Sequence, residues 1–186
     1  MAVKIVVTAI FLKLTMRKIR HATSADLERI MQVLAAAKQV MRRAGNANQW
    51  INGYPDEAAV ERDMEQGGAM VVEDDGVVVA YFAFLPSPEP TYAKIYEGSW
   101  LDDTLPYHVV HRMGGVPEAK GIFASAMDYC FMIDPNIRVD THRDNKIMQH
   151  LFEKHRFTYC GIIYLANGDE RLAFQRMHET QQDLMQ

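Results

Sequence analysis

Two stretches of the chain join residue types that can do chemistry to a spacing that lets them do it. The first covers residues 107–130. A β-rich run reaches Gly114-Gly115, a short loop carries Lys120-Gly121, and an apolar helix-forming run begins at Ile122. A helix start offers unpaired N–H groups and a partial positive charge, which suits a phosphate or diphosphate. Gly121 lets the backbone approach an oxyanion and Lys120 adds charge. The same glycine also serves as a plain turn before a helix, and the residues leave that alternative open. The second stretch is Asp140-Thr141-His142-Arg143-Asp144-Asn145-Lys146-Ile147-Met148-Gln149. A strand end delivers a polar turn and then a helix. Either Asp144 or Asn145 simply caps that helix, or the turn faces the same cleft as the first stretch.

Both stretches need a scaffold, and the patterning supplies one. The chain has 186 residues, 48% of them hydrophobic, enough for one domain with a sizeable core. Strands are expected over 17–22, 69–73, 77–85, 107–113, 137–141, 159–165 and 171–175. Helices are expected over 25–43, 56–66, 122–132 and 145–155, the first marked by Leu27, Ile30, Met31, Leu34, Ala37, Val40 and Met41 at helical spacing. Asp74-Asp75-Gly76 and Asn167-Gly168 are turn signals between strands. The order implies an α/β (α+β) domain with a mixed, largely antiparallel central sheet and helices on both faces.

Bulk properties exclude some partners. The formal net charge is −4 and no basic stretch carries interleaved aromatics, so no nucleic acid partner is expected. The two cysteines, Cys130 and Cys160, are far apart and lack a metal-type spacing, which points to reduced core residues and a cytoplasmic setting. On a regular strand His108 and His111 face opposite ways, so no metal is expected. Residues 1–15 are interrupted by Lys4 and Lys13 and fall short of the ~20 residues of a membrane helix. They read as a tail or a start-site artefact, with a single domain over 16–186 and no membrane partner.

Taken together the motifs resemble the GNAT superfamily of acyl-CoA-dependent N-acyltransferases over residues 17–176. They are similar above all to an uncharacterised bacterial subgroup. Its marks here are Gly53-Tyr54-Pro55, Tyr92, Trp100-Leu101, Tyr107, His111-Arg112, the run from Asp140 to Gln149, and Cys160-Gly161-Ile162-Ile163-Tyr164.

The resemblance implies a fourth strand that splays from the fifth. The pantetheine arm of acetyl-CoA, as co-substrate, would bond to backbone groups around Met113, Gly114 and Gly115. The diphosphate would sit on the amides of Gly121, Ile122, Phe123 and Ala124, helped by Lys120, with Asn145 and Phe152 across the cleft. Three positions depart from the pattern. Glu118 and Phe123 replace the usual Gln/Arg and small residue, and Phe152 stands where many members carry a Tyr acid. Tyr164 either substitutes as the acid or is simply a half-buried strand aromatic.

For the base, Tyr107, Val109, His111 and Met113 share a face of a regular strand. His111 is the first candidate, as a neutral imidazole near pH 7; Glu97 is the alternative. A structural role, bonding neighbouring loops and orienting the site, is also open to His111. Trp50, Tyr54, Tyr92 and Trp100 either line an acceptor pocket or simply pack. The expected reaction is acetyl transfer to a primary amine of a small molecule or amino acid by direct attack, with a homodimer implied by family habit alone. The competing readings are a GNAT-fold protein that binds CoA or another ligand with little or no transfer, and a plain protein-interaction domain.

Overall fold

Runs rich in β-branched and aromatic residues assemble into one sheet, because each carries enough apolar surface to be covered on at least one face. The computed structural model describes residues 17–178, so the tail expected over 1–15 lies outside the described residues. The strands are β1 (Arg17–His21), β2 (Ala69–Asp74), β3 (Val77–Pro86), β4 (His108–Gly115), β5 (Asn136–Thr141), β6 (Thr158–Tyr164) and β7 (Glu170–Met177). The helices are α1 (Leu27–Arg43), α2 (Glu57–Glu65), α3 (Ile122–Ile133) and α4 (Lys146–Lys154). The sheet runs β1-β2-β3-β4-β5-β7-β6, antiparallel except where β4 meets β5.

Local chemistry explains the boundaries. Asp75 and Gly76 take left-handed φ of 51° and 80°, the backbone a tight hairpin needs between β2 and β3. Asp56 caps α2 by accepting from the Ala59 amide at 2.9 Å. The helix expected from residue 25 begins at Leu27, after a 3-10 turn over Ser24–Asp26. There the Asp26 carboxylate turns back to accept from the Thr23 amide and the Arg20 guanidinium.

The sheet has helices on both faces, and β3 shows why its sequence reads as one apolar run. Tyr81 packs with Ile30, Leu34 and Val60 from α1 and α2. Phe82 and Phe84 pack with Met127 of α3 and Phe152 of α4. Alternate residues of one strand thus feed two cores.

Two irregularities shape the site. First, β4 and β5 pair only over His108–Val110 and Ile137–Val139, whereas β4 stays paired with β3 as far as Gly115. From His111 onward the other edge of β4 is not paired to β5. Second, β4 carries a bulge at Arg112, whose φ is +54°. The extra residue bends the strand and reverses the alternation. Tyr107, Val109 and His111 share a face, but Met113 lies with Val110 on the α3 side, not with His111 as a regular strand would place it.

Candidate functional site

The parting of β4 from β5 opens a cavity of about 640 Å³, within the range of small-molecule sites. Its floor is apolar: Val110, Met113, Phe123, Val139, Met148 and Phe152. Its opposite wall is polar and charged, and is built from segments distant in sequence.

On that wall His111 stands between two carboxylates. Its Nε2 is 3.3 Å from Glu89 Oε2 and its Nδ1 is 3.4 Å from Asp140 Oδ1. Tyr92 donates its hydroxyl to the same Asp140 oxygen at 2.7 Å. Burial opposes a charge on His111, but the hydrogen bonds to Asp140 and Glu89 outweigh it and raise the pKa to about 9. Burial likewise opposes ionisation of Glu89, yet His111 and Thr91 bring its pKa down to about 2. Asp140 is also lowered: burial opposes this, and His111 and Tyr92 overcome it. At pH 7 the site therefore holds an imidazolium between two carboxylates, not the neutral imidazole expected from sequence.

This trio also makes stability depend on pH. The folded pKa of His111 exceeds the unfolded value, so its stabilisation is complete below about 6.5 and is lost as pH rises through about 9. A pKa moved from 6.5 to about 9 corresponds to ~3 kcal/mol, shared among the three groups. Glu89 acts with the opposite sign, its share being lost as pH falls from 4.5 through about 2. The urea midpoint is expected to drop between pH 6 and pH 9.5. An unchanged midpoint would refute a charged His111.

A second polar group lies alongside. Asp63 of α2 is buried and accepts from the Tyr81 hydroxyl at 2.6 Å and from Arg112 Nε at 2.7 Å, with Arg112 Nη2 also close. Arg112 Nη1 reaches the Tyr54 hydroxyl at 3.0 Å. Burial pushes the Tyr81 hydroxyl well up, and the Asp63 charge adds to this. This pair ties the β4 bulge to α2. Above it, Gln49 accepts from Asn46 and Asn145 at 2.9 and 2.8 Å, which joins the loop after α1 to the start of α4 across the cavity.

The residues singled out from sequence fall into two groups. Met113, Phe123, Asn145, Phe152 and His111 line the cavity, as do Trp50 and Tyr54. Asn145 also caps α4, accepting from the Met148 amide at 3.1 Å. Gly114 is covered by α1, and a Cβ there would meet the Ala37 Cβ at 2.8 Å. Gly114→Ala is expected to cost ~1–3 kcal/mol by overpacking two rigid elements, read as a lowered urea midpoint. Gly121 sits at φ +71° as the uncapped start of α3. With no side chain on them, the first amides of that helix, including Ile122, Phe123 and Ala124, lack an intrahelical acceptor. The Phe123 ring turns inward to Phe152, His155 and Phe157, away from those amides. Lys120 folds back on the Pro117 carbonyl at 2.9 Å.

Two of the three catalytic candidates are not brought to the cavity, and of the cofactor candidates Gly114, Gly115, Lys120, Gly121, Ile122 and Ala124 do not line it. Glu97 belongs to a loop that crosses to β6, where Tyr96 and Ile162 exchange backbone hydrogen bonds of 2.8 Å. Tyr164 is exposed at the end of β6 with its ring against Tyr96. Trp100 and Tyr107 stack on the buried Arg138 guanidinium and are packing residues, and Tyr92 acts through its hydroxyl from beneath Asp140. Sequence reasoning passed over Glu89, Asp63 and Arg171, three cavity residues that look like ordinary loop, helix and strand charges. Only Asp63 carried a signal, as an acidic residue one helical turn from Val60 on the buried face. Among the described residues no helix is long and apolar enough to cross a membrane, and no cluster of His, Cys, Asp or Glu is placed to hold a metal.

No family model and no curated protein matches the chain. Solved structures do. A GNAT-family acetyltransferase of Streptococcus agalactiae superposes with a TM-score of 0.80 at 31% identity, over 88% of this chain and 96% of that one. A GNAT-family acetyltransferase of Listeria monocytogenes gives 0.64 at 17% identity, over 87% and 94%. A third, from Bacillus cereus, gives 0.54 at 16% identity, over 89% and 99%. The last two share the fold; the first, with the parted β4 and β5, carries the assignment. The chain belongs to the GNAT family of acetyltransferases.

Proposed function

We propose that the protein moves an acetyl group from acetyl-CoA to the primary amine of a small molecule. The observation that carries this reading is the unpaired edge of β4, which from His111 to Met113 opens on a cavity whose far wall holds a carboxylate–histidine–carboxylate trio. Backbone groups along that edge suit the amides of a pantetheine arm, and the apolar floor suits its methylenes. The uncapped start of α3 suits the diphosphate. Arg17 stands near it, bonded to Asp74 and donating to the Lys120 carbonyl at 3.0 Å and the Ser125 hydroxyl at 3.1 Å. It steadies this loop where Glu118 offers no cation.

In the step itself the amine nitrogen attacks the thioester carbonyl, the C–S bond breaks and the CoA thiolate leaves. The acceptor arrives as an ammonium ion, drawn by a trio of net charge −1, and must shed a proton before attack. That first proton goes to water; the nitrogen loses a second as the amide bond forms, and His111, when itself neutral, takes that one. A backbone N–H of β4 facing the carbonyl oxygen stabilises the oxyanion.

Phe152 favours a second reading, a protein that binds CoA without efficient transfer. It is 1% exposed among Phe123, Phe157 and Phe174 and has no proton to give a thiolate. Calorimetry with acetyl-CoA followed by thiol release over a panel of amines decides between them. Micromolar binding with amine-dependent thiol release supports transfer. Binding with no release at any pH from 7 to 10 supports the second reading, and no binding at millimolar acetyl-CoA removes both.

A further inference from the structure

We propose that the acceptor carries a carboxylate as well as its amine, and that Arg171 binds that carboxylate. This rests on the acetyl-transfer reading and adds the chemical class of the acceptor.

The Arg171 side chain is 4% exposed and lines the cavity. A guanidinium has five N–H donors in a planar fork. Within the described residues only Nη1 donates, to the Glu170 carbonyl at 2.8 Å. Nη2 is 3.8 Å from Asp169 Oδ2, beyond hydrogen-bond length, and that oxygen already accepts from Asn167 at 2.9 Å. None of its open donors is a fully buried unpaired atom, so they open on the cavity, where a ligand carboxylate can complete them. The other buried cations of the cavity are occupied. Arg112 is held by Asp63 and Tyr54, and His111 by Glu89 and Asp140.

Register places Arg171 usefully. Ala173 of β7 pairs with Asp140 of β5, and Arg171 lies two residues from Ala173, on the same face. It therefore faces the side of the sheet that bears His111, toward the end where β4 and β5 part. A molecule in this space meets a trio of net charge −1 and, close enough to act on its Asp140, a cation with open donors. That pattern matches an ammonium and a carboxylate on one body. A simple diamine would place a cation against Arg171. An acyl-CoA that ends in a carboxylate presents the same group as the acceptor, so the test separates the two sources.

The test measures thiol release by the full chain with matched acceptors, each amino acid against the amine lacking only its carboxyl: phenylalanine with 2-phenylethylamine, leucine with 3-methylbutylamine. With acetyl-CoA, kcat/KM is expected to favour the amino acid by roughly tenfold or more, the scale of a charge-assisted fork contact. Arg171→Gln is expected to bring the ratio toward one, and Arg171→Lys to restore part of it. The wild-type ratio decides the matter even where a variant fails to fold. Equal or better turnover of the plain amines overturns the proposal. So does a tenfold preference for succinyl-CoA over acetyl-CoA with plain amines, which would assign Arg171 to the acyl chain. Thiol release with none of them removes the transfer reading itself, and the proposal with it.

Discussion

With an acceptor amine that is itself neutral at pH 7, kcat/KM is expected to rise about tenfold per pH unit and to level off near pH 9, the pKa to which His111 is raised. Only ~1% of the enzyme holds a neutral imidazole at pH 7, given a pKa of about 9. A weakly basic acceptor is essential to the measurement, because an ordinary amine would add its own ionisation to the profile. Asp140→Asn removes one of the two carboxylates that favour the imidazolium, so the plateau should begin ~1–3 pH units lower. His111→Gln should abolish the limb and lower the plateau by roughly 10²–10⁴-fold. A flat profile in the wild type, or an Asp140→Asn profile that does not move, would show that His111 carries no proton in the step. Its place between Glu89 and Asp140 would then be purely structural.

The largest loss of stability is expected at Asp63. Its carboxylate is 3% exposed and is the shared acceptor for Tyr81 and Arg112. Asp63→Ala leaves the Arg112 guanidinium, 15% exposed, with only the Tyr54 and Tyr81 hydroxyls and no counter-charge. Removing one partner of a buried ion pair costs ~3–5 kcal/mol, because the remaining charge is uncompensated. Urea unfolding should show that loss, and Asp63→Asn, which keeps an acceptor, should show less. Arg112 also sits at φ +54° in the β4 bulge, so the KM for acetyl-CoA should rise in whatever Asp63→Ala protein remains folded. A change below ~1 kcal/mol would mean that water reaches Arg112 freely and that the pair is a surface one.

Much of this architecture was legible residue by residue. The helical spacing of Leu27, Ile30, Leu34 and Ala37 marks α1, and the Asp75-Gly76 pair marks the β2–β3 hairpin. The strand, glycine and helix signals around Gly121 mark the start of α3. These are local properties, set by period, caps and turn conformations within a few residues of one another. The motifs along 140–149 and 160–164 carried the family resemblance for the same reason.

The chemistry of the site was not local. Glu89 and His111 are 22 residues apart, Tyr92 and Asp140 are 48, and Asp63 and Arg112 are 49. Nothing near His111 in sequence announces the two carboxylates that keep it charged. Sequence reasoning singled out Glu97 and passed over Glu89, although both are acidic residues in one long loop. The crossing of that loop to β6 carries one away and leaves the other beneath His111. The bulge at Arg112, an ordinary residue in an unremarkable run, turned Met113 to the opposite face. Periodicity, capping and turn chemistry are written in short stretches of chain, so the order and type of the elements could be read directly. A pKa, a paired charge and an open donor depend on which groups the folded sheet brings within a few ångströms, and on how much water it leaves there.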